Sequence, residues 1–326
     1  MSDSAVPLVE AVDLKKHYLI TAGLLHRQVG SIRAVDGVSL RIMPGETVGL
    51  VGESGCGKST LGRLLLRLEK PTSGQVVYRG RDISFVPERR LRSFRREAQM
   101  VFQDPQSSLD PRMTVGDSIG EALLIHGAAN DKERMAAVAE LLRKVGIEPA
   151  YADRYPHQFS GGQKQRIGIA RALAVKPRFL IADEPVSALD VSVQAQILNL
   201  LMDLRGEFGL TYLFVAHDLA VVKHMSDRIA VMYLGKIAEL GGKEDVIARP
   251  LHPYTQALLA AVLVPNPHRK RQVRVLQGDV PSPANPPPGC RFHTRCVKTA
   301  AVCRSEEPPL VEVLPGRIVA CHRWSD

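Results

Sequence analysis

Hydrophobic and polar positions change their period several times along the chain, and each change predicts an element. Residues 8–14, Leu-Val-Glu-Ala-Val-Asp-Leu, alternate loosely, as an edge strand does. A loop with Gly23 and Gly30 leads to a second strand at Val38–Ile42. Pro44-Gly45 then turns the chain into the apolar run Glu46–Val51, which has the length of a short buried strand. Leu61–Leu68 reads as a helix, and Pro71-Thr-Ser-Gly74 is a turn before the strand Gln75–Tyr78. Residues 88–97 are densely basic and predict an exposed helix with a solvated face. A strand at Ala98–Phe102 ends in Gln103-Asp104-Pro105.

Helices come next. Val115–His126 is one, and Asp131–Val145 is another, with Asp131 as N-cap and Gly146 just past its end. Apolar residues 135, 138, 142 and 145 form one stripe, which predicts core. These helices predict a small helical subdomain, about 104–170, inserted into an α/β core. That core resumes with a helix after Ser160-Gly161-Gly162-Gln163, a buried strand Arg178–Asp183, a long helix Val191–Phe208 and a strand Leu210–Ala216. A hairpin-like pair, Arg228–Tyr233 and Lys236–Leu240, closes it around Gly235. Residues 1–250 are thus expected to form the main domain. Residues 251–326 form an extension, with a helix from Leu251 through Val264 and a proline-rich linker that delivers four cysteines. Such a linker is stiff, so an appended module outside the core is expected.

The chain's chemistry centres on Gly52-Glu53-Ser54-Gly55-Cys56-Gly57-Lys58-Ser59-Thr60, which fits the phosphate-loop pattern between a strand and a helix. Glycines let successive N–H groups face phosphate oxygens, and the helix N-terminus adds a positive dipole end. Lys58 is expected on the β- and γ-phosphates of a nucleotide triphosphate and Ser59 on Mg²⁺. Asp183, at a strand end, is a second Mg²⁺ candidate, and Glu184 is placed to polarise an attacking water. His217 follows the next strand and is a candidate contact to the γ-phosphate. Gln103, a neutral amide at a strand end, could touch Mg²⁺ or water. Ser160-Gly161-Gly162-Gln163 makes a second anion site at a helix N-terminus, or else an ordinary Ser-capped helix. One nucleotide does not need two such sites from one chain, so this one is expected to serve a nucleotide held by a partner.

Composition adds a few limits. The 326 residues can hold one large α/β core and a smaller appendage. Lys and Arg number 43 against 34 Asp and Glu; the net charge of +9 suits nucleic acid or an anionic membrane surface. Aromatics at 5% make stacked base recognition the weaker of the two. No apolar run approaches the roughly 20 residues that span a bilayer, and Met1–Pro7 has no basic-then-apolar signal pattern. A cytoplasmic protein with a peripheral membrane role is the expectation. Cys56 sits in the phosphate loop as a filler exposed to thiol reagents. Cys290, Cys296, Cys303 and Cys321 lie together near the C-terminus, where a reducing compartment favours a metal or cluster over disulfides. Four thiolates suit an iron–sulfur cluster; they also suit zinc, although the paired Cys-x2-Cys spacing is absent.

The phosphate loop, Gln103, Ser160–Gln163, Asp183-Glu184, Ser187-Ala-Leu-Asp190 and His217 stand in the order and rough spacing of the ATP-binding cassette ATPases, which this chain resembles over residues 8 to about 250. The resemblance implies a RecA-like P-loop NTPase core with an N-terminal antiparallel β subdomain, an inserted α-helical subdomain and a small cysteine-containing extension. It implies Tyr18 stacked on adenine and Gln103 as a sensor facing a membrane subunit. Ser160 and Gly162 would close over a partner's γ-phosphate, and Asp190 would contact across the dimer seam. Phe159 replaces the family's usual Leu without expected loss. His252-Pro253-Tyr254 and the cysteine tail are similar to the dipeptide, oligopeptide and nickel importer branch, and several stretches to its F-type dipeptide subunits. That branch implies a second, homologous ATPase chain, two transmembrane permease subunits and, indirectly, a periplasmic peptide-binding protein. It implies a place on the cytoplasmic side of the inner membrane, no direct nucleic acid, and the four tail cysteines as ligands of a [4Fe–4S] cluster. A soluble cassette ATPase acting on ribosomes or DNA, an importer of nickel or another small solute, and an exporter motor are the alternatives.

Overall fold

The computed structural model describes residues 6–22, 27–104, 108–127, 130–261 and 278–325. The chain divides into two compact units: Met1–Met43, Thr47–Phe85 and Val215–Asp326 form one, and Pro44–Glu46 with Val86–Phe214 the other. Gly23, Pro105 and Val264, used above as landmarks, lie outside the described residues.

The first unit opens with β1 (Val9–Ala22) and β2 (Arg27–Ile42), antiparallel from Val9 opposite Ile42 to Ala22 opposite Arg27. Both strands run well past the expected boundaries: Tyr18 lies within β1, and Gly30 lies inside β2 opposite Ile20. The far end of this ribbon is wet on both sides, with Leu19 and Val29 both exposed. With these apolar positions in solvent, no clean in–out alternation was available to mark it. β3 (Thr47–Val51), buried at every residue, leads through the glycine-rich loop into α1 (Lys58–Leu65). β4 (Ser73–Tyr78) pairs with the other side of β1, and β5 (Arg81–Asp82) with β4.

In the second unit, residues 88–97 give a 3-10 turn, Glu88–Arg90, and then α2 (Arg92–Glu97). Its Leu91 and Phe94 are buried, so this basic stretch is anchored and not wholly solvated. β6 (Ala98–Val101) follows, then α3 (Val115–Ile125), capped by Thr114, whose hydroxyl accepts the Asp117 N–H. α4 (Asp131–Lys144) is capped by Asn130, whose side chain accepts the Glu133 N–H at 3.0 Å, one residue earlier than expected. Val138, Leu142 and Val145 are fully buried there, while Met135 is exposed, so the core stripe is a turn shorter. α5 (Gly161–Leu173) precedes β7 (Phe179–Asp183), which runs parallel to β6 from Ala98 opposite Phe179. α6 (Val191–Phe208) ends at Gly209, and β8 (Thr211–Ala216), next to β7, carries the chain out of this unit.

Back in the first unit come α7 (Leu219–Met225), then β9 (Arg228–Tyr233) parallel to β3, and β10 (Lys236–Gly242) antiparallel to β9. α8 (Lys243–Ala248), α9 (Pro253–Ala261) and α10 (Ala301–Ser305) precede the short β11 (Val311–Leu314) and β12 (Arg317–Val319). β12 pairs with β10, Glu239 opposite Val319, giving the order β11-β12-β10-β9-β3 in this unit. Two strands of the expected extension, β11 and β12, are thus part of this unit's sheet. Arg317 fixes the join with a buried ion pair to Glu239 at 2.5 Å. Strands of three and four residues are too short to show a period, which is why the sequence did not announce them.

Candidate functional site

Strand β3 delivers the glycine-rich loop, and α1 begins at Lys58 directly behind it. Gly57 caps that helix with φ 107°, and a Cβ there would sit 2.0 Å from the Ala34 carbonyl oxygen, so only glycine fits. A glycine cap offers no side-chain oxygen to the first turn, which suits that turn for an anion. Lys58, 4% exposed, folds back over the loop and donates to the carbonyls of Gly52 at 2.8 Å and Glu53 at 3.0 Å. Ser54 and Gly55 are exposed, whereas Ser59 and Thr60 are half-buried. Cys56 is 3% exposed, and burial pushes its thiol up to about 11. The expected vulnerability to thiol reagents is overturned, because a buried neutral thiol is a poor nucleophile.

Tyr18 lies beside this loop. Its hydroxyl donates to Glu69 and interacts with Thr60, while Lys16 sits 5.0 Å from the ring centre. Burial, then Glu69, pushes the phenol up to about 12. His217, exposed, directly follows β8, and Asp218 caps α7 by accepting the Ala220 N–H at 2.7 Å.

Sequence reasoning gave no site role to the residues that hold Glu53. Its carboxylate takes a two-pronged hydrogen bond from Arg295, at 2.7 and 3.0 Å, and its N–H donates to the Tyr254 hydroxyl at 2.9 Å. No spacing rule links positions so far apart in the chain. The one available sign was Arg295's place between Cys290 and Cys296. A cavity of about 530 Å³ in the same unit is lined by Asp36, Lys236, Arg291 and Glu307 among others. Lys236 pairs with Glu307 at 2.5 Å and Arg291 with Asp36, so this cavity is charge-balanced and does not suit a triphosphate.

In the second unit, Asp183 closes β7 and is 3% exposed. Glu184, next in the chain, has φ 44°, a left-handed conformation that costs a non-glycine residue about 1 kcal/mol. Its carboxylate accepts a hydrogen bond from the Gln103 amide at 3.0 Å, so the structure brings these two predicted residues together. The Ser187 hydroxyl donates to the Glu184 carbonyl at 3.1 Å and supports the turn. Ser160 caps α5 in a closed capping box: its hydroxyl accepts the Gln163 N–H at 3.3 Å, and the Gln163 side chain accepts the Ser160 N–H at 3.0 Å. Gly161 is exposed, and a Cβ on Gly162 would lie 2.5 Å from the Val193 methyl. Asp190 stands at the start of α6 without a side-chain capping bond, exposed. Asp183, Ser59 and Gln103 supply oxygen donors, the ligand type Mg²⁺ takes.

The four late cysteines share one neighbourhood in the first unit. Cys290 donates its N–H to the Cys303 carbonyl at 2.9 Å, and the Arg323 N–H donates to the Cys321 sulfur at 3.4 Å. Burial pushes the Cys290 thiol up to about 11, and Cys303, Cys321 and Cys296 add to the shift. Cys296 and Cys321 are raised for the same reasons. Among the described residues, no three His, Cys, Asp or Glu converge closely enough to hold one metal ion.

The family described as "ABC transporter" matches residues 35–187, from within β2 to Ser187. The one described as "Oligopeptide/dipeptide transporter, C-terminal region" matches 238–303, a span that includes Tyr254 and Arg295. The chain is 55% identical over 321 residues to the oligopeptide transport ATP-binding protein AppF of Bacillus subtilis, covering 98% of each. It belongs to the ATP-binding cassette (ABC) transporter family. This ABC chain is also 55% identical to a probable peptide ABC transporter ATP-binding protein, y4tS, of Sinorhizobium fredii, covering 99% of this chain and 90% of that one. Among solved structures it is similar to the dimeric post-hydrolysis state of the ATP-binding cassette MJ0796 bound to ADP and Pi. There the TM-score is 0.65 and the identity 32%, covering 72% of this chain and 98% of that one. The ABC chain is therefore an ATPase with the P-loop NTPase fold. Among the described residues, no helix is long and apolar enough to cross a membrane.

Proposed function

We propose that the chain is the energy-coupling ATPase of an importer for dipeptides and oligopeptides. The observation that carries this is the 55% identity to an oligopeptide transport ATP-binding protein over 98% of both chains, cassette and C-terminal region alike. We assign the ATP phosphates to residues 52–60, with Lys58 on the β- and γ-phosphates, and adenine to the ring of Tyr18. Ser59, Gln103 and Asp183 are the residues for Mg²⁺, which when bound would offset charge on the phosphate oxygens. Glu184 orients and polarises the attacking water, with Gln103 holding its carboxylate at 3.0 Å, and His217 contacts the γ-phosphate. Ser160, Gly161, Gly162 and Gln163, with Asp190, face the nucleotide of a second, homologous ATPase chain. The dimeric form of the MJ0796 cassette supports that arrangement.

Two transmembrane permeases would hold this pair at the cytoplasmic face of the inner membrane, fed by a periplasmic peptide-binding protein. A net charge of +9 suits that anionic surface. The four tail cysteines are assigned to a [4Fe–4S] cluster on donor type alone, four thiolates being the ligands such a cluster takes; among the described residues they do not converge on one centre. Iron would be measured on anaerobically purified protein. For transport, the chain is assembled with its partner ATPase, permeases and binding protein in proteoliposomes. ATP-dependent uptake of labelled peptide, lost in Glu184→Gln while ATP is still bound, is the expected result. Uptake of nickel instead, or turnover stimulated by RNA and not by peptide-loaded binding protein, would overturn it.

A further inference from the structure

We propose that Arg295 and Tyr254 are positioning residues for ATP, acting through Glu53 to hold the phosphate loop in its anion-binding shape. The proposal rests on reading residues 52–60 as the ATP phosphate site. Glu53 is the second residue of that loop, and each of its polar groups is fixed. The carboxylate meets both prongs of the Arg295 guanidinium, the N–H meets the Tyr254 hydroxyl, and the carbonyl receives the Lys58 ammonium at 3.0 Å. A planar fork on a carboxylate sets orientation as well as distance, which a lysine cannot do. Because Arg295 is matched by Glu53, its charge is committed to the loop's geometry, not to a phosphate.

The supports are themselves rigid. Tyr254 is fully buried and Arg295 nearly so. Tyr254 packs on Tyr233 at 4.7 Å and on Phe292 at 5.3 Å, and its N–H donates to the ring of His252 at 3.0 Å. His252 in turn has its own N–H bound by Glu239, the carboxylate that pairs with Arg317 of β12. On the other side, Arg291 ties the same segment to Asp36 and to the Leu234 carbonyl. Residues from the C-terminal region thus form one wall of the phosphate loop's support.

The test is ATP affinity of the full-length chain by titration calorimetry, with a thermal melt beside it. Arg295→Met and Glu53→Gln are each expected to raise the ATP Kd about five- to tenfold. Arg295→Lys is expected to fall between Arg295→Met and the natural chain. The double variant should be no worse than the weaker single one, because both remove the same link. Tyr254→Phe keeps the ring packing and removes only the hydroxyl, so it reports on the loop even where Arg295→Met folds poorly; a Kd rise of about threefold is expected. Unchanged Kd in Arg295→Met and Tyr254→Phe, or fully additive losses in the double variant, would overturn the proposal. A natural chain that binds no ATP would instead overturn the phosphate-site reading beneath it.

Discussion

At Gly57 the chain starts a helix with no capping side chain, while at Ser160 it starts one with both halves of a capping box closed. Both starts are glycine-rich, and both are assigned to phosphate. The first lies in a loop whose Glu53 is gripped by Arg295 and Tyr254, and its lysine is folded inward. The second is exposed and completes its own hydrogen bonds within four residues, Ser160 to Gln163. A helix start that leaves its donors for a ligand needs outside bracing to keep its shape. One that caps itself can stand on a surface without help, and it is suited to meeting something that arrives from outside.

The largest expected effect comes from removing the inward lysine. Lys58→Ala should weaken ATP binding by the isolated chain about a thousandfold, measured by calorimetry. Retained affinity would break the comparison at its root. Next in size is acid sensitivity of the brace. Burial holds His252 down from the ordinary 6.5 to about 4, so the unfolded chain binds a proton that the folded chain refuses. Stability is then full above about pH 6.5 and is lost as pH falls toward 4, on the order of 3 kcal/mol in all. Urea unfolding at stepped pH should show that slope, and His252→Asn should flatten it. A slope of the opposite sign would contradict a buried neutral imidazole.

Smaller still is the self-capped start. Ser160→Ala should cost about 1 kcal/mol of stability and leave ATP affinity of the isolated chain within about twofold, while turnover of the assembled complex falls. A tenfold loss of the isolated chain's own affinity would mean that the two starts are not separate in role. The smallest effect concerns Cys56: no labelling by iodoacetamide in the folded chain at neutral pH, against full labelling in urea, read by mass spectrometry.

Much of this could be read from residues alone. The phosphate loop, the strand ending in Asp183-Glu184 and the helix behind Ser160 each carry a local pattern that matches what forms. The misses are of a different kind. Asn130 and Asp131 are both good caps, and only backbone geometry chooses Asn130. The ribbon of β1 and β2 extends where apolar Leu19 and Val29 stand in solvent, so hydrophobic periodicity falls silent there. Arg295 on Glu53 is a pairing set by the tertiary fold between distant segments, and no window along the chain contains both.

The pairing of β12 with β10 has a consequence for how the molecule is made. β10 leaves the ribosome with one flank unzipped, and its complement is translated only after the proline-rich stretch and three of the four late cysteines. Until then the nascent sheet offers an open hydrogen-bonding edge, the kind that recruits stray strands. A ribosome stalled before Arg317 would leave that edge open, a template on which a stray strand can pair.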